Sequence, residues 1–413
     1  MICSIFDPHM KNQNKVFVLE GKVQHYQWGG FTYLPELLGI DNPKGEPFAE
    51  YWLGAHSQAP SLIKNDGSLA ELIANDPAVL GEKVKNTFGT LPYLLKILDV
   101  KDMLSIQVHP SKEMAVKGFA AENAAGIQPT ASNRNYKDDN HKPELMVALG
   151  DFWLLHGFRP VQSMHKMLDS IPELQFLLEV FGDGDYKELY KEVMEMSQEE
   201  VNRRLGPLLE RIVPVYEAGK LQKSAPDFWA ARAALTFKNG EDIDRGIFSV
   251  YLLNLVFLQK GEAIFQDAGI LHAYLEGQNV EIMANSDNVL RGGLTPKHID
   301  VPELLKHVSF HAVEPKVIVG TTLNGFEKKF FSPAADFELS QLLIEKDSSK
   351  SLYTPTTDIL IVLEGKLVAE EENAGSQNPI IVDKGGSLLL TAEARIRLES
   401  PTGAVLYRAT VPS

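Results

Sequence analysis

The sequence has one cysteine, Cys3, among 413 residues. That excludes an intramolecular disulfide and predicts a reducing compartment. Basic residues are outnumbered, 40 Lys and Arg against 55 Asp and Glu, for a net charge of −15. A nucleic-acid partner is argued against, since phosphate neutralisation needs a basic face. A small anionic ligand remains allowed, because a local cluster of Lys and Arg is enough for it. No stretch approaches the roughly 20 apolar residues that span a bilayer. The run "MICSIF" is too short for a signal segment and lacks a basic flank. No glycine-rich phosphate loop of the P-loop or Rossmann kind is present, which speaks against nucleotide chemistry. These absences predict a soluble cytoplasmic protein with no membrane or nucleic-acid partner.

What is present is ordinary globular composition, 44% hydrophobic and 23% charged. The length allows two or three domains. Runs such as "KVFVLEGKVQHYQW" and "APSLIK" alternate or carry β-branched residues, with turns such as "NPKGEP" between them. "LPYLLKILDV" is apolar enough for a buried strand. Then the period changes. Leu189, Val193, Val201, Leu205, Leu208, Leu209 and Ile212 recur at helical spacing, and Ser197 with Glu200 forms a capping-box pattern. Beyond about 245 the strands return. The expected fold is mainly β with a helical insertion. Residues 1–158 plus 240–315 are expected to form one jelly-roll unit, 159–239 the helices, and 316–413 a C-terminal jelly-roll-like unit. An internal repeat supports two related β units: "KGEAIFQDAGILHAYLE" aligns without gaps to "KGGSLLLTAEARIRLES", each read as a hairpin. His272 falls opposite Ile396, so a metal site in the first copy would be missing from the second.

Four places carry unusual polar chemistry. In "LSIQVHP", Ser105, Gln107 and His109 share one strand face, opposite Leu104, Ile106 and Val108. That face is either half of a pocket or a polar strand edge. In "YKDDNHKPELMVAL", His141, Lys142 and Glu144 open onto an apolar strand. "AGILHAYLEG" reads as a hairpin with His272 and Tyr274 on one face. "NVEIMANSDNVLRGGLTPKHID" holds Glu281, Asp287, Arg291 and Lys297. Gln107, His109, Glu144 and His272 make a chemically sensible Zn²⁺ set, although no compact ligand spacing joins them. Buried polar groups need partners, which favours the pocket. Lys142, Arg291 and Lys297 can recognise an anion.

"LSIQVHPSK", "YKDDNHKPELMVAL", "AGILHAYLEG" and "DNVLRGGLTPKHID" resemble the signatures of type I mannose-6-phosphate isomerases, as do "VQHYQWGG" and "AEYWLGAHSQAPS". The resemblance runs from about residue 20 to 310. It implies a cupin-type catalytic domain, a helical domain and a C-terminal β domain. It implies one zinc ion per chain, held by Gln107, His109, Glu144 and His272, and a catalytic arginine at Arg291. Lys142 matches the lysine of "NHKPE" and Lys297 that of "LTPK". Trp28, Lys96, Ser105, His141, Tyr274, Glu281 and Asp287 match other pocket positions. The implied reaction interconverts mannose 6-phosphate and fructose 6-phosphate through an enediolate. The base stays open among His141, Lys142, Glu281 and Asp287. The family's usual "QNYAWG" is "QHYQWG" here, which puts in doubt a substrate contact at His25. Two other classes stand beside this reading. A cupin dioxygenase would use the two histidines and the carboxylate but gives no reason for the basic cluster. A non-catalytic sugar-binding cupin would be expected to lose a ligand.

Overall fold

The computed structural model describes residues 14–238, 240–372 and 379–412. Cys3 and the "MICSIF" run lie outside them. Among the described residues, two large antiparallel sheets share a core, and a helical layer packs against the first of them. In the first sheet the 13-residue strand His272–Ala284 is the hub. Its first half pairs with Ile106–Val108 and Phe152–Phe158. Its second half pairs with Tyr93–Val100 and Glu144–Ala148. The register shifts between Tyr274 and Glu276, and Gly277 follows at φ +131°, a conformation that favours glycine. The strand bends there, and the two halves wrap a common interior. "AGILHAYLEG" is therefore not a hairpin but the entry to one long bent strand.

The second sheet repeats the device. Asp358–Glu371 pairs with Ser387–Leu390 and Ala404–Thr410 through its first half, and with Ile380–Asp383 and Ala394–Ser400 through its second. The sequence repeat falls on matching strand–turn–strand corners, Ala263–Gln266 into His272–Ala284 and Ser387–Leu390 into Ala394–Ser400. Neither corner is a hairpin, because the two strands of each pair with others. Ile396 is fully buried among Leu352, Leu367 and Leu398 in an apolar core.

Val16–Glu20 hydrogen-bonds to Ser387–Leu390, in the sheet of the C-terminal residues rather than that of the metal-ligand candidates. Alternation identified it as a strand, but alternation carries no information about the partner. Four α-helices lie in the region read as strand-rich: Tyr33–Leu38, Leu69–Asn75, Glu82–Phe88 and Lys112–Ala124. In the longest, only Ala115 is buried, so no apolar period marks it. Leu189 and Val193 fall on the helix Tyr186–Glu195, and Val201 to Ile212 on Gln198–Glu217. Ser197 caps the latter by accepting from the Glu200 amide at 3.3 Å, while the Glu200 carboxylate turns to Arg203 and Arg204. The reciprocal box forms instead at Ser68 and Glu71. The helices share one core with Ile106, Val108, Leu155 and Leu290, so they buttress the strands that carry the site.

Candidate metal centre

Four strands place four side chains in a row. Arg291 lies directly opposite Gln107, Gln107 opposite His272, and His272 opposite His156. Directly opposed residues share a face, so the row looks into the bent sheet's interior. His109 follows Gln107 at the next same-face position, and Pro110 ends the strand. Glu144 begins its own strand. His109, Glu144 and His272 converge, with ligand atoms all within 4.8 Å of one another and all three residues buried.

Their hydrogen bonds fix what they offer. His109 Nδ1 donates to the Asn288 carbonyl at 2.8 Å, and His272 Nδ1 to that of Ile270 at 2.9 Å. Both Nε2 atoms are therefore lone pairs. Each faces a Glu144 oxygen at 3.3 Å. His109 Nε2, His272 Nε2 and Glu144 Oε2 are buried with no hydrogen-bond partner. Acceptors aimed at acceptors in a dry interior repel, unless a cation lies among them. Burial holds the His109 imidazole neutral, its pKa pushed down to about 4. Burial alone would raise the Glu144 carboxyl, but the Lys142 ammonium at 3.3 Å helps hold it well below its ordinary range. Tetrahedral zinc with bonds of about 2.0–2.1 Å has ligand edges of roughly 3.3–3.4 Å. The donor set and its spacing fit that ion.

Beside this cluster lies a carboxylate–lysine group. Lys96 Nζ is 3.2 Å from Glu50 and 3.5 Å from Glu281. Tyr274 donates its hydroxyl to Glu281 at 2.7 Å, across the bend of the strand that carries both. Burial, reinforced by the charge of Glu144, pushes Glu281 up to about 7. Against burial, Glu50, Glu281 and Glu144 keep Lys96 protonated, above its usual range. Asp287 accepts from His56 Nε2 at 3.2 Å, and Gln58 N–H donates to His56 Nδ1, which fixes that tautomer. Burial opposes it, but this hydrogen bond and the Lys142 and Lys96 charges hold Asp287 below the ordinary carboxylate range.

Arg291 makes no hydrogen bond or ion pair among the described residues. Burial lowers its pKa. Lost hydration and the charge of Arg291 lower Lys297; lost hydration, then the charges of Arg134 and Arg291, lower Lys137 against the opposing pull of Glu122 and Asp287. Three cations thus feel one another with no carboxylate in ion-pair range. Gly292 lets the strand Leu290–Gly293 pass close to the Tyr190 hydroxyl, and a Cβ there would collide with it. Gly292→Ala is expected to destabilise by about 1–3 kcal/mol, with the denaturation midpoint as its measure; an unshifted midpoint would show that Tyr190 yields freely.

His141 turns to Asp336 of the C-terminal half, 3.0 Å from Nε2, away from the metal cluster. Trp28 packs against the apolar cluster that contains Tyr274, and Ser105 makes no hydrogen bond among the described residues. His25 is exposed and bonds to the Pro47 carbonyl at 2.7 Å, outside the pocket.

Comparison with known proteins decides the family. Mannose-6-phosphate isomerase of Escherichia coli (strain K12) is 39% identical over 360 residues, covering 84% of this chain and 88% of its own. The chain belongs to the type I phosphomannose isomerase family. The human mannose-6-phosphate isomerase is 32% identical over 434 residues, covering 96% of this chain and 98% of its own. The profile described as "Phosphomannose isomerase type I, catalytic domain" matches residues 16–161. That span holds Gln107, His109 and Glu144; His272 and Arg291 lie beyond it. A crystal structure of mannose 6-phosphate isomerase from Salmonella typhimurium, bound to F6P and zinc, superposes with a TM-score of 0.84 at 35% identity. It covers 97% of this chain and 100% of its own. Like that phosphomannose isomerase, the chain has a cupin-type β architecture with a helical insertion.

Sequence reading missed Glu50, His56, Lys137, His156 and Gln266. Glu50 and His56 stand in "AEYWLGAHSQAPS", and Lys137 in "YKDDNHKPE", where a charged or imidazole side chain reads equally well as solvated. The signal available for Gln266 was its place in the run "KGEAIFQD", where the pattern expects an apolar residue.

Proposed function

We propose that the chain interconverts mannose 6-phosphate and fructose 6-phosphate, with one zinc ion held by Gln107, His109, Glu144 and His272. The observation that carries this reading is the set of three orphaned acceptors beside a carboxyl raised to about 7 and a cation cluster lacking carboxylate partners. Bound zinc polarises the sugar oxygens as a Lewis acid. Gln107, flanked by His272 and Arg291, contributes its amide oxygen. Lys142 keeps Glu144 ionised. Arg291 supplies fixed positive charge where the enediolate forms. Lys297, with Lys137, takes the phosphate, and Trp28 and Ser105 border the sugar.

Glu281 is the group we assign to proton transfer between the two carbons. A carboxyl near neutrality is ionised often enough to accept a proton and acidic enough to return it. Tyr274 fixes its orientation and Lys96 balances its charge. Asp287, held ionised by His56, orients the sugar hydroxyls. His141 anchors the motif loop to the C-terminal half through Asp336. Among the described residues, no helix is long and apolar enough to cross a membrane.

A coupled assay with mannose 6-phosphate, with and without chelator, tests the activity: turnover should vanish with chelator and return with zinc. Glu281→Gln should keep its zinc and lose roughly 10²–10⁴ of turnover. Glu281 works ionised, so wild-type rate should fall as pH drops through its pKa. That midpoint lies at about 7 for the metal-free carboxyl and lower once zinc offsets the charge of Glu144. An acid limb that persists unchanged in Glu281→Gln would give the proton transfer to another group.

A further inference from the structure

His156 and Gln266 have no part in the reaction as derived above, yet they sit directly against it. Strand register puts Gln266 opposite Glu144 and His156 opposite His272. The two thus flank two of the metal ligands on the far side from Arg291. They are joined to each other, His156 Nδ1 to Gln266 Oε1 at 2.6 Å. Both are buried, Gln266 completely. With Oε1 taken by the imidazole N–H, the amide nitrogen of Gln266 points its two hydrogens elsewhere. That nitrogen has no partner. Glu144, opposite it on the neighbouring strand and the same face, turns Oε2 to His272 Nε2 at 3.3 Å, and no bond joins it to Gln266. A buried donor, costly to leave unmade, thus stands opposite a candidate ligand carboxylate in a dry interior.

Packing alone does not account for this pair. A buried amide and imidazole are poorer fillers than Leu or Phe, because each carries polar groups that must be satisfied. Nor can they serve the sugar directly, since the ligand row separates them from Arg291. Ligating carboxylates are commonly oriented by a hydrogen bond from behind. We propose that His156 and Gln266 are positioning residues for the metal centre: His156 locks the Gln266 amide, and Gln266 donates an N–H to the Glu144 carboxylate once the ion is bound. The two set zinc affinity without touching zinc or substrate. This rests on the metal reading given above.

The test is zinc affinity, measured by competition with a chromophoric chelator, alongside the melting temperature of the metal-free protein. Gln266→Met keeps the volume and removes the amide. It should weaken zinc binding about 10–100-fold and leave the metal-free melting temperature unchanged or higher. A merely structural role predicts the reverse, a lower metal-free melting temperature with affinity intact. His156→Phe leaves the amide in place but unlocked, and should weaken zinc binding less. If the two act in series, the double variant should be no worse than Gln266→Met alone. If Gln266→Met does not fold, His156→Phe decides by itself. Zinc affinity within twofold of wild type in the folded variants overturns the proposal. His272→Ala in the same titration separates this from the metal reading, since loss of zinc there upholds the site whatever Gln266 does.

Discussion

His272→Ala is expected to lose its zinc and roughly three orders of magnitude of turnover. A metal acting as Lewis acid is worth several kcal/mol of charge stabilisation, and each 1.4 kcal/mol is about tenfold in rate. The imidazole Nε2 is wholly buried, lacks any hydrogen-bond partner and faces Glu144 at 3.3 Å. Its Nδ1 proton is committed to Ile270, so the ring cannot turn over to offer another lone pair without breaking that bond. Removing it leaves His109 and Glu144 as the only strong ligands. Elemental analysis beside the coupled rate assay checks both halves. Chelator-treated wild type should match the variant in rate. Full zinc occupancy in His272→Ala would remove this residue from the site.

Arg291→Ala should keep its zinc, bind mannose 6-phosphate within about tenfold of wild type, and lose roughly 10²–10³ of turnover. The guanidinium stands next to Gln107 in the ligand row and is committed to no other group among the described residues. A preorganised charge of this kind acts mainly on the developing enediolate, so turnover falls and KM moves little. Arg291→Lys restores charge without the planar fork and should recover only part. Steady-state kinetics with metal content decides it. A strong rise in KM with intact turnover would make Arg291 a phosphate anchor like Lys297.

Gln107 and His109 were legible because they break the habit of an outward strand face, being uncharged where Lys or Glu is usual. Leu189 to Ile212 were legible because helices advertise a period. Lys112–Ala124 buries one residue and so advertises nothing. The three candidate ligands themselves come from separate segments, and only the bend at Gly277 brings Tyr274 back onto Glu281. No local pattern encodes such closure. His141 shows the opposite failure. Its motif placed it in the pocket, while the extended backbone before Glu144 turns alternate side chains apart, Lys142 to the metal cluster and His141 to Asp336. Glu281 was one of four candidate bases; its neighbours Glu144, Lys96 and Tyr274, which single it out, are all distant in sequence or hidden beyond a bend.

The strand Val16–Glu20 is synthesised more than 360 residues before its partner Ser387–Leu390. At about 5–20 residues per second, that is a wait of roughly 20–70 s. Val16, Phe17 and Leu19, all buried in the finished protein, are without that cover for the whole interval. Pairing with Leu62–Ile63 is available early, but seating beside Ser387–Leu390 must wait, so the C-terminal sheet cannot close domain by domain from the ribosome. A nascent chain stalled anywhere before residue 387 should therefore present this segment to chaperones and proteases, and release past that point should hide it.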